Sequence, residues 1–290
     1  MAQRARHRCH AFVTGLVALA SAAVLSAATP AQAADTWTEV GSDRAEPLTE
    51  SQGLASVEVP ASSPNRYTGI GTIPLSVRTR SWSHVGDPDA SYDGYYIEPY
   101  QADSGSAKMF RVQAPNGGWT EYVHALGPGE ALNNSFVAIS PSGQWMVSGE
   151  WGTMTRLLVH PTPGVNPSTS PSANLPWTSS IRLDRPVRDV QGCDFRDATT
   201  LLCSSDDPDG SLFGTTKPLL QIELSAAPGA SDVTGRVTAL RQLPLRSSCS
   251  GSFETEGIDY DRRTGTLRVI VISPGFCVLT DSKTYRFTRG

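Results

Sequence analysis

The sequence predicts an all-β protein, and within that class a β-propeller, with five blades as the first count and six as the second. Three observations predict it. Five segments repeat one pattern, a polar residue, then Gly or Ser, then a strand-like run: Ser51-Gln52-Gly53-Leu54-Ala55, His84-Val85-Gly86-Asp87, Asn133-Asn134-Ser135-Phe136-Val137, Val190-Gln191-Gly192-Cys193-Asp194 and Thr255-Glu256-Gly257-Ile258-Asp259. Strand-rich units recurring every ~40 to 50 residues are the sequence mark of propeller blades, whose first strands line a central channel. Apolar runs are short and bounded by Gly, Pro, Asn and Asp, and no window shows a capped 3.6-residue apolar period, so very little helix is expected.

In chain order, Met1 to Ala33 reads as a secretory signal. Arg4, Arg6 and Arg8 form a basic front, Phe12 to Ala28 an apolar stretch, and Ala31-Gln32-Ala33 a small-residue cleavage site. Retention of that stretch as a membrane anchor is the other reading, weighed against Pro30 and the cleavage site. Residues 34–290 are then one exported domain. Asp35 to Val40 has strand composition and is expected to add to the last blade, closing the ring and removing an open sheet edge. Gly94 to Pro99, Ala107 to Val112 and Trp119 to Val123 supply strands of the second unit. Phe136 to Ser140 and Trp145 to Gly149 form a hairpin over the Pro141-Ser142-Gly143-Gln144 turn, and Arg156 to His160 follows as a third strand. In the fifth unit Gly257 to Tyr260 turns at Asp261 to Gly265 into Thr266 to Ile272, and Phe276 to Leu279 and Thr284 to Phe287 read as further strands.

The aligned small residues Gly53, Gly86, Ser135, Gly192 and Gly257 stand 33, 49, 57 and 65 residues apart, so loops have grown between strands. Pro161 to Ser180, and Ser204 to Lys217 with its Asp206-Asp207-Pro208-Asp209-Gly210 run, are the evident excursions. The Asp206 run lacks the alternating ligands and closing Glu of an EF-hand loop and reads as a solvated turn.

Loss of the signal takes three arginines and no acid, moving the net charge from −4 to about −7. Phosphate binding needs a concentrated positive field, so nucleic acid and anionic membranes are poor partners. Four cysteines remain after Cys9 leaves, and an even count in an exported chain favours disulfides. Cys193 and Cys203 flank the polar turn Arg196 to Thr200 and would face each other across one hairpin, which leaves Cys249 with Cys277.

No Gly-x-Ser-x-Gly elbow, zinc helix, phosphate-cradling loop or dinucleotide fingerprint is present, and only His84, His124 and His160 remain in the mature chain. Chemistry is therefore sought at the repeat. Gln52, His84, Asp87, Asn134, Gln191 and Glu256 occupy the polar position and are expected to converge on one mouth of the channel as a ligand-binding ring. Asp87, Asn134 and Glu256 are the candidate ligands for a divalent cation, most plausibly Ca2+, because such oxygens suit a hard ion. The competing reading has the ring satisfied by its own hydrogen bonds. Asp89 and Asp93 read as turn residues. Gly149-Glu150-Trp151-Gly152 reads either as a binding-face element or as a packed Trp beside an exposed Glu.

At Thr255 to Asp261 and at Ser51 to Leu54 the chain resembles secreted bacterial propellers of the phytase-like and lactonase-like groups, whose inner strands carry a Glu-Gly or Gln-Gly step. The resemblance covers short pieces of each blade and implies the fold and an axial calcium site; the lysine- and arginine-rich cradle of a phytase is missing. Three functions stay open. The first is a secreted, monomeric module binding a small molecule, glycan or extracellular protein. The second is a calcium-dependent hydrolase of an ester, lactone or phosphoester, with His84 or Glu256 as proton carrier. The third is a glycan-processing propeller drawing its two carboxylates from Asp87, Glu150 and Glu256.

Overall fold

Short runs of β-branched and aromatic residues, punctuated by turn formers, give the chain its strands. The computed structural model describes residues 36–57, 66–133 and 135–290. The signal-like residues 1–33 lie outside the described residues, as does Asn134. Strand β1 (Trp37–Arg44) leads, followed by the hairpin β2 (Gly53–Val57) and β3 (Arg66–Ile70) and a single helical turn, α1 (Leu75–Arg78). Next come β4 (Trp82–Val85), β5 (Asp89–Ala90), β6 (Tyr96–Ala102), β7 (Ala107–Gln113) and β8 (Trp119–Ala125). The strands β9 (Ala138–Ile139), β10 (Trp145–Ser148), β11 (Thr153–Pro161) and β12 (Ser179–Arg188) form one antiparallel meander. A second contains β13 (Val190–Asp197), β14 (Thr200–Ser205), β15 (Pro218–Leu224) and β16 (Val233–Gln242). The chain ends in β17 (Glu254–Asp261), β18 (Thr266–Ile272) and β19 (Lys283–Arg289).

The first strands of the groups, β2, β5, β9, β13 and β17, touch one another in a closed cycle, each against the next and β17 against β2. Sheets set around a ring with their first strands at the centre make a β-propeller. As expected from Asp35 to Val40, β1 pairs antiparallel with β19, from Trp37↔Arg289 to Arg44↔Lys283, so the two ends of the domain share one sheet. The two meanders are also joined at their outer edges, where β12 and β16 run parallel from Ile181↔Val233 to Leu183↔Gly235.

Side-chain alternation explains the core. In β14, Leu201 and Cys203 point into the large apolar cluster shared with Phe136, Leu157, Val190 and Leu220, whereas Leu202 joins Ile258, Leu267, Val269 and Phe287 on the other side. A strand buried on both faces reads as the continuous apolar run Leu201-Leu202-Cys203. The expected disulfides are both present: Cys193 and Cys203 lie directly opposite in the β13–β14 ladder, and Cys249 bonds Cys277.

Several expectations are corrected. The Asp206 run is not a solvated turn at its start, since Asp206 and Asp207 are buried and paired with Lys217 and Arg188. Phe276 to Leu279 is a 3-10 turn, not a strand, because Pro274 precedes it and Cys277 is tied sideways to Cys249. Asp89 is not a turn residue but lies buried in β5, while Asp93 is in the turn that follows. The repeat register also moves by one in two units: Asp87, not Gly86, pairs with Phe136, not Ser135, in a parallel bridge.

Candidate functional site

Asp87 occupies the ring position that glycine holds in three other units, and its side chain is fully buried. Its Oδ1 accepts the Leu54 amide at 3.1 Å and its Oδ2 the Ile258 amide at 3.0 Å, while its own backbone bridges to Ser135 and Val137. A Cβ at Gly53, Gly192 or Gly257 would collide with this carboxylate, which is why those three positions carry none. Burial pushes the Asp87 carboxyl well above the usual range, against the pull of the Ile258 and Leu54 amides.

The residue two places further along repeats a second device. Asp89, Asp194 and Asp259 each accept a backbone N–H from a neighbouring inner strand: Ile139 and Tyr260 both at 2.6 Å, and Ser56 at 2.5 Å. Inner strands cannot ladder to one another all round a ring, so these carboxylates satisfy amides that would otherwise be buried bare. The sequence signal was available as Asp87-Pro88-Asp89, Gly192-Cys193-Asp194 and Gly257-Ile258-Asp259, a small or acidic residue followed two places later by Asp.

A cleft of about 310 Å³ opens beside this ring, lined by His84, Gln101, Leu132, Asn133, Ser135 and Trp151. β4 and β5 lie end to end along β6, and a register shift between Ser83 and Val85 puts a bulge at His84. His84 takes a left-handed φ of 34°, a conformation uncommon for a side-chain-bearing residue and one that re-aims it. The surrounding protein lowers its imidazole below the usual value, favouring the neutral ring. Asn133 shapes the wall: its Nδ2 donates to the Glu150 carbonyl at 3.0 Å and its Oδ1 accepts the Ser135 amide at 2.6 Å. Gln101 and nearly buried Ser135 complete the polar part of the lining.

Trp151, on the turn between β10 and β11, keeps 50% of its surface exposed, while Glu150 is buried. This reverses the packed-Trp reading. Glu150 is gripped by Arg156 through two contacts at 2.5 and 2.9 Å and accepts the Ala131 amide; despite its burial, these partners hold its carboxyl below the usual range. A second cleft of about 270 Å³ also has Trp151 in its lining, together with Ala131, Glu150, Thr155 and Arg156.

Both clefts share the wall at residues 129–133, and a buried charge cluster pins it. Lys108 Nζ meets Glu130 Oε1 at 2.9 Å and donates to the Gly149 carbonyl, while Glu130 Oε2 contacts His124 Nε2 at 2.9 Å and accepts the Gly127 amide. Although burial alone would raise it, these partners draw the Glu130 carboxyl down to about 2. Sequence reasoning missed this cluster, because Lys108 and Glu130 stand far apart in isolated strand and loop contexts.

The five ring residues that are described have separate surroundings. His84 lines the cleft with the neighbours of Asn134. Asp87 is taken by backbone amides, and Gln52 Nε2 donates to the Ser51 carbonyl. Gln191 and Glu256 are half-buried at the starts of their runs. Burial, with Glu254 and Asp206 nearby, pushes the Glu256 carboxyl well up. Asp206 itself is held by Lys217 and by the amide and hydroxyl of Thr255. Among the described residues no three His, Cys, Asp or Glu side chains form a group able to hold a metal ion. No helix among them is long and apolar enough to cross a membrane.

No family model matches the chain, and no curated protein matches it. Among solved structures it is similar to the β-propeller domain of Cps50 (Swd1) from Myceliophteria thermophila, at 9% sequence identity and a TM-score of 0.35, over 78% of this chain. The chain spans 60% of the length of that one. A likeness this distant carries neither function nor blade count.

Proposed function

We propose that this chain is an exported five-bladed β-propeller that binds a small, uncharged polar ligand in the cleft between His84 and Trp151. One observation carries the reading: His84, bulged and left-handed, lines a cleft together with a half-exposed tryptophan and the polar ends of Gln101 and Ser135. Strained backbone in a side-chain-bearing residue persists where its surroundings hold it, and such residues gather at ligand sites. The closed cycle of five inner strands supports the blade count. The two disulfides suit an oxidising exterior.

The enzymatic readings have less support. A glycan-processing site needs two carboxylates facing one sugar bond, yet Asp87 accepts amides on both oxygens and Glu150 is engaged by Arg156. The hydrolase reading draws its ion from Asp87 and Glu256, and Asp87 is engaged in the same way.

A thermal-shift screen of the mature chain against neutral polar compounds, namely polyols, amides, nucleosides and sugars, tests the reading. Binding to the folded state raises the melting temperature by mass action. Stabilising compounds are expected to lose their effect in His84→Ala and Gln101→Ala. Compounds that stabilise both variants as well as the parent would overturn it.

A further inference from the structure

We infer that the ligand is a neutral carbohydrate chain, with Trp151 as the platform between two sugar subsites. This rests on the cleft reading above. Trp151 is among the lining residues of both clefts and leaves half its surface bare at a turn, where a large apolar side chain forgoes hydrophobic burial. A sugar ring presents C–H groups on one face and hydroxyls around its rim. It can stack on an indole and hydrogen-bond at its edge, matching an aromatic with an electron-rich face.

The rest of the lining fits that shape. Among the described residues, the polar side chains lining the first cleft are those of His84, Gln101, Asn133 and Ser135, with no carboxylate or amine among them. In the second, the charges of Glu150 and Arg156 neutralise each other through their paired contacts, and the Arg156 guanidinium is further committed over the Trp177 ring at 4.4 Å. Thr155 adds an exposed hydroxyl. Among the described lining residues neither cleft offers a cation that is not already paired, so nothing in them favours a phosphorylated ligand. Each volume suits one or two sugar rings, and together they reach the size range of small-ligand sites, ~300 to 1,000 Å³.

The test is calorimetric titration of the mature chain with neutral gluco-, xylo-, manno- and N-acetylglucosamine oligosaccharides of increasing length. At least one series is expected to bind, with affinity rising ~10-fold from the single sugar to the short chain as the second subsite fills. Trp151→Ala, an exposed position, should weaken binding ~10-fold or more while the melting curve is kept. Ala131→Tyr, which fills only the second cleft, should abolish the gain with length and leave single-sugar affinity intact. Binding insensitive to Trp151→Ala overturns the inference. If no series binds at millimolar concentration while other neutral compounds bind in a His84-dependent way, the carbohydrate inference falls and the cleft reading stands. If nothing binds in a His84-dependent way, both fall.

Discussion

Asp87 shows how one residue sets the chemistry of its neighbours. A carboxylate placed at the centre of the ring needs donors, and the amides of Leu54 and Ile258 supply them only because Gly53 and Gly257 have no Cβ to hold them off. Gly257→Ala would press a methyl into both Asp87 Oδ1 and the Gly53 backbone, neither of which can swing aside. It is expected to destabilise the domain by about 3 kcal/mol. Gly229→Ala, where a Cβ meets open space, should change stability by less than about 0.5 kcal/mol. Urea denaturation of the two variants checks the contrast, and equal midpoints would refute it. The glycines were legible in the sequence as a repeat; that Asp87 is the group they make room for was not, because nothing local distinguishes Asp87 from Gly86 as the aligned position.

At the scale of elements, the wall at residues 129–133 is held from beneath by β7, which contributes Lys108. Both members of the Lys108–Glu130 pair have fully buried side chains, so removing one leaves the other buried without its opposite charge, with only His124 and the Gly127 amide beside Glu130 or the Gly149 carbonyl beside Lys108. Lys108→Met is expected to cost about 3 to 5 kcal/mol and to loosen both clefts, whereas the double variant Lys108→Met with Glu130→Gln should recover part of that loss. Thermal melts of the three proteins decide it, and a double variant no better than the single one would place the cost in packing and not in charge. The strands themselves were largely legible: Thr266 to Ile272 matches β18, and Trp119 to Val123 lies within β8. The Phe276 turn was not, because its apolar composition suits a strand while the Cys249–Cys277 bond and Pro274 override it.

For the whole molecule, the buried carboxyls set the dependence of stability on pH. Burial raises Asp87, Asp194 and Glu256 well above their usual values and pushes Asp89 up to about 7. Such an acid holds its proton in the folded chain when the unfolded chain has lost it, so its contribution falls as pH rises through that window, from about 4 to about 7 for Asp89. His160 acts the other way: burial holds it well below its usual value, and the unfolded chain gains its proton below about pH 6.5, while exposed His84, lowered in the same direction, is screened by solvent and adds less. Glu98 and Asp189 are raised by burial as well, so the raised carboxyls outnumber the lowered imidazoles and the folded state is expected to be favoured on mild acidification. Glu130, drawn down to about 2, erodes stability only as pH falls below about 4.5. The urea midpoint is therefore expected to be higher at pH 5 than at pH 8, with the difference reduced in Asp89→Asn. A midpoint that rises from pH 5 to pH 8 would contradict this balance.

By itself the sequence determined the strand-rich class, the repeat, the closing role of the N-terminal strand and both disulfides. Most of these follow from local pattern, namely alternation, turn residues and Cys193 placed across one hairpin from Cys203, and the Cys249–Cys277 bond follows from the pair that remains. Only the tertiary structure decided which polar residues line a cleft and which face the backbone. The reason is that ring closure brings Asp87, Gly53, Gly192 and Gly257 together from four separate units, and sets His84 across a cleft from Trp151. No local pattern encodes the distance between residues so far apart in the chain.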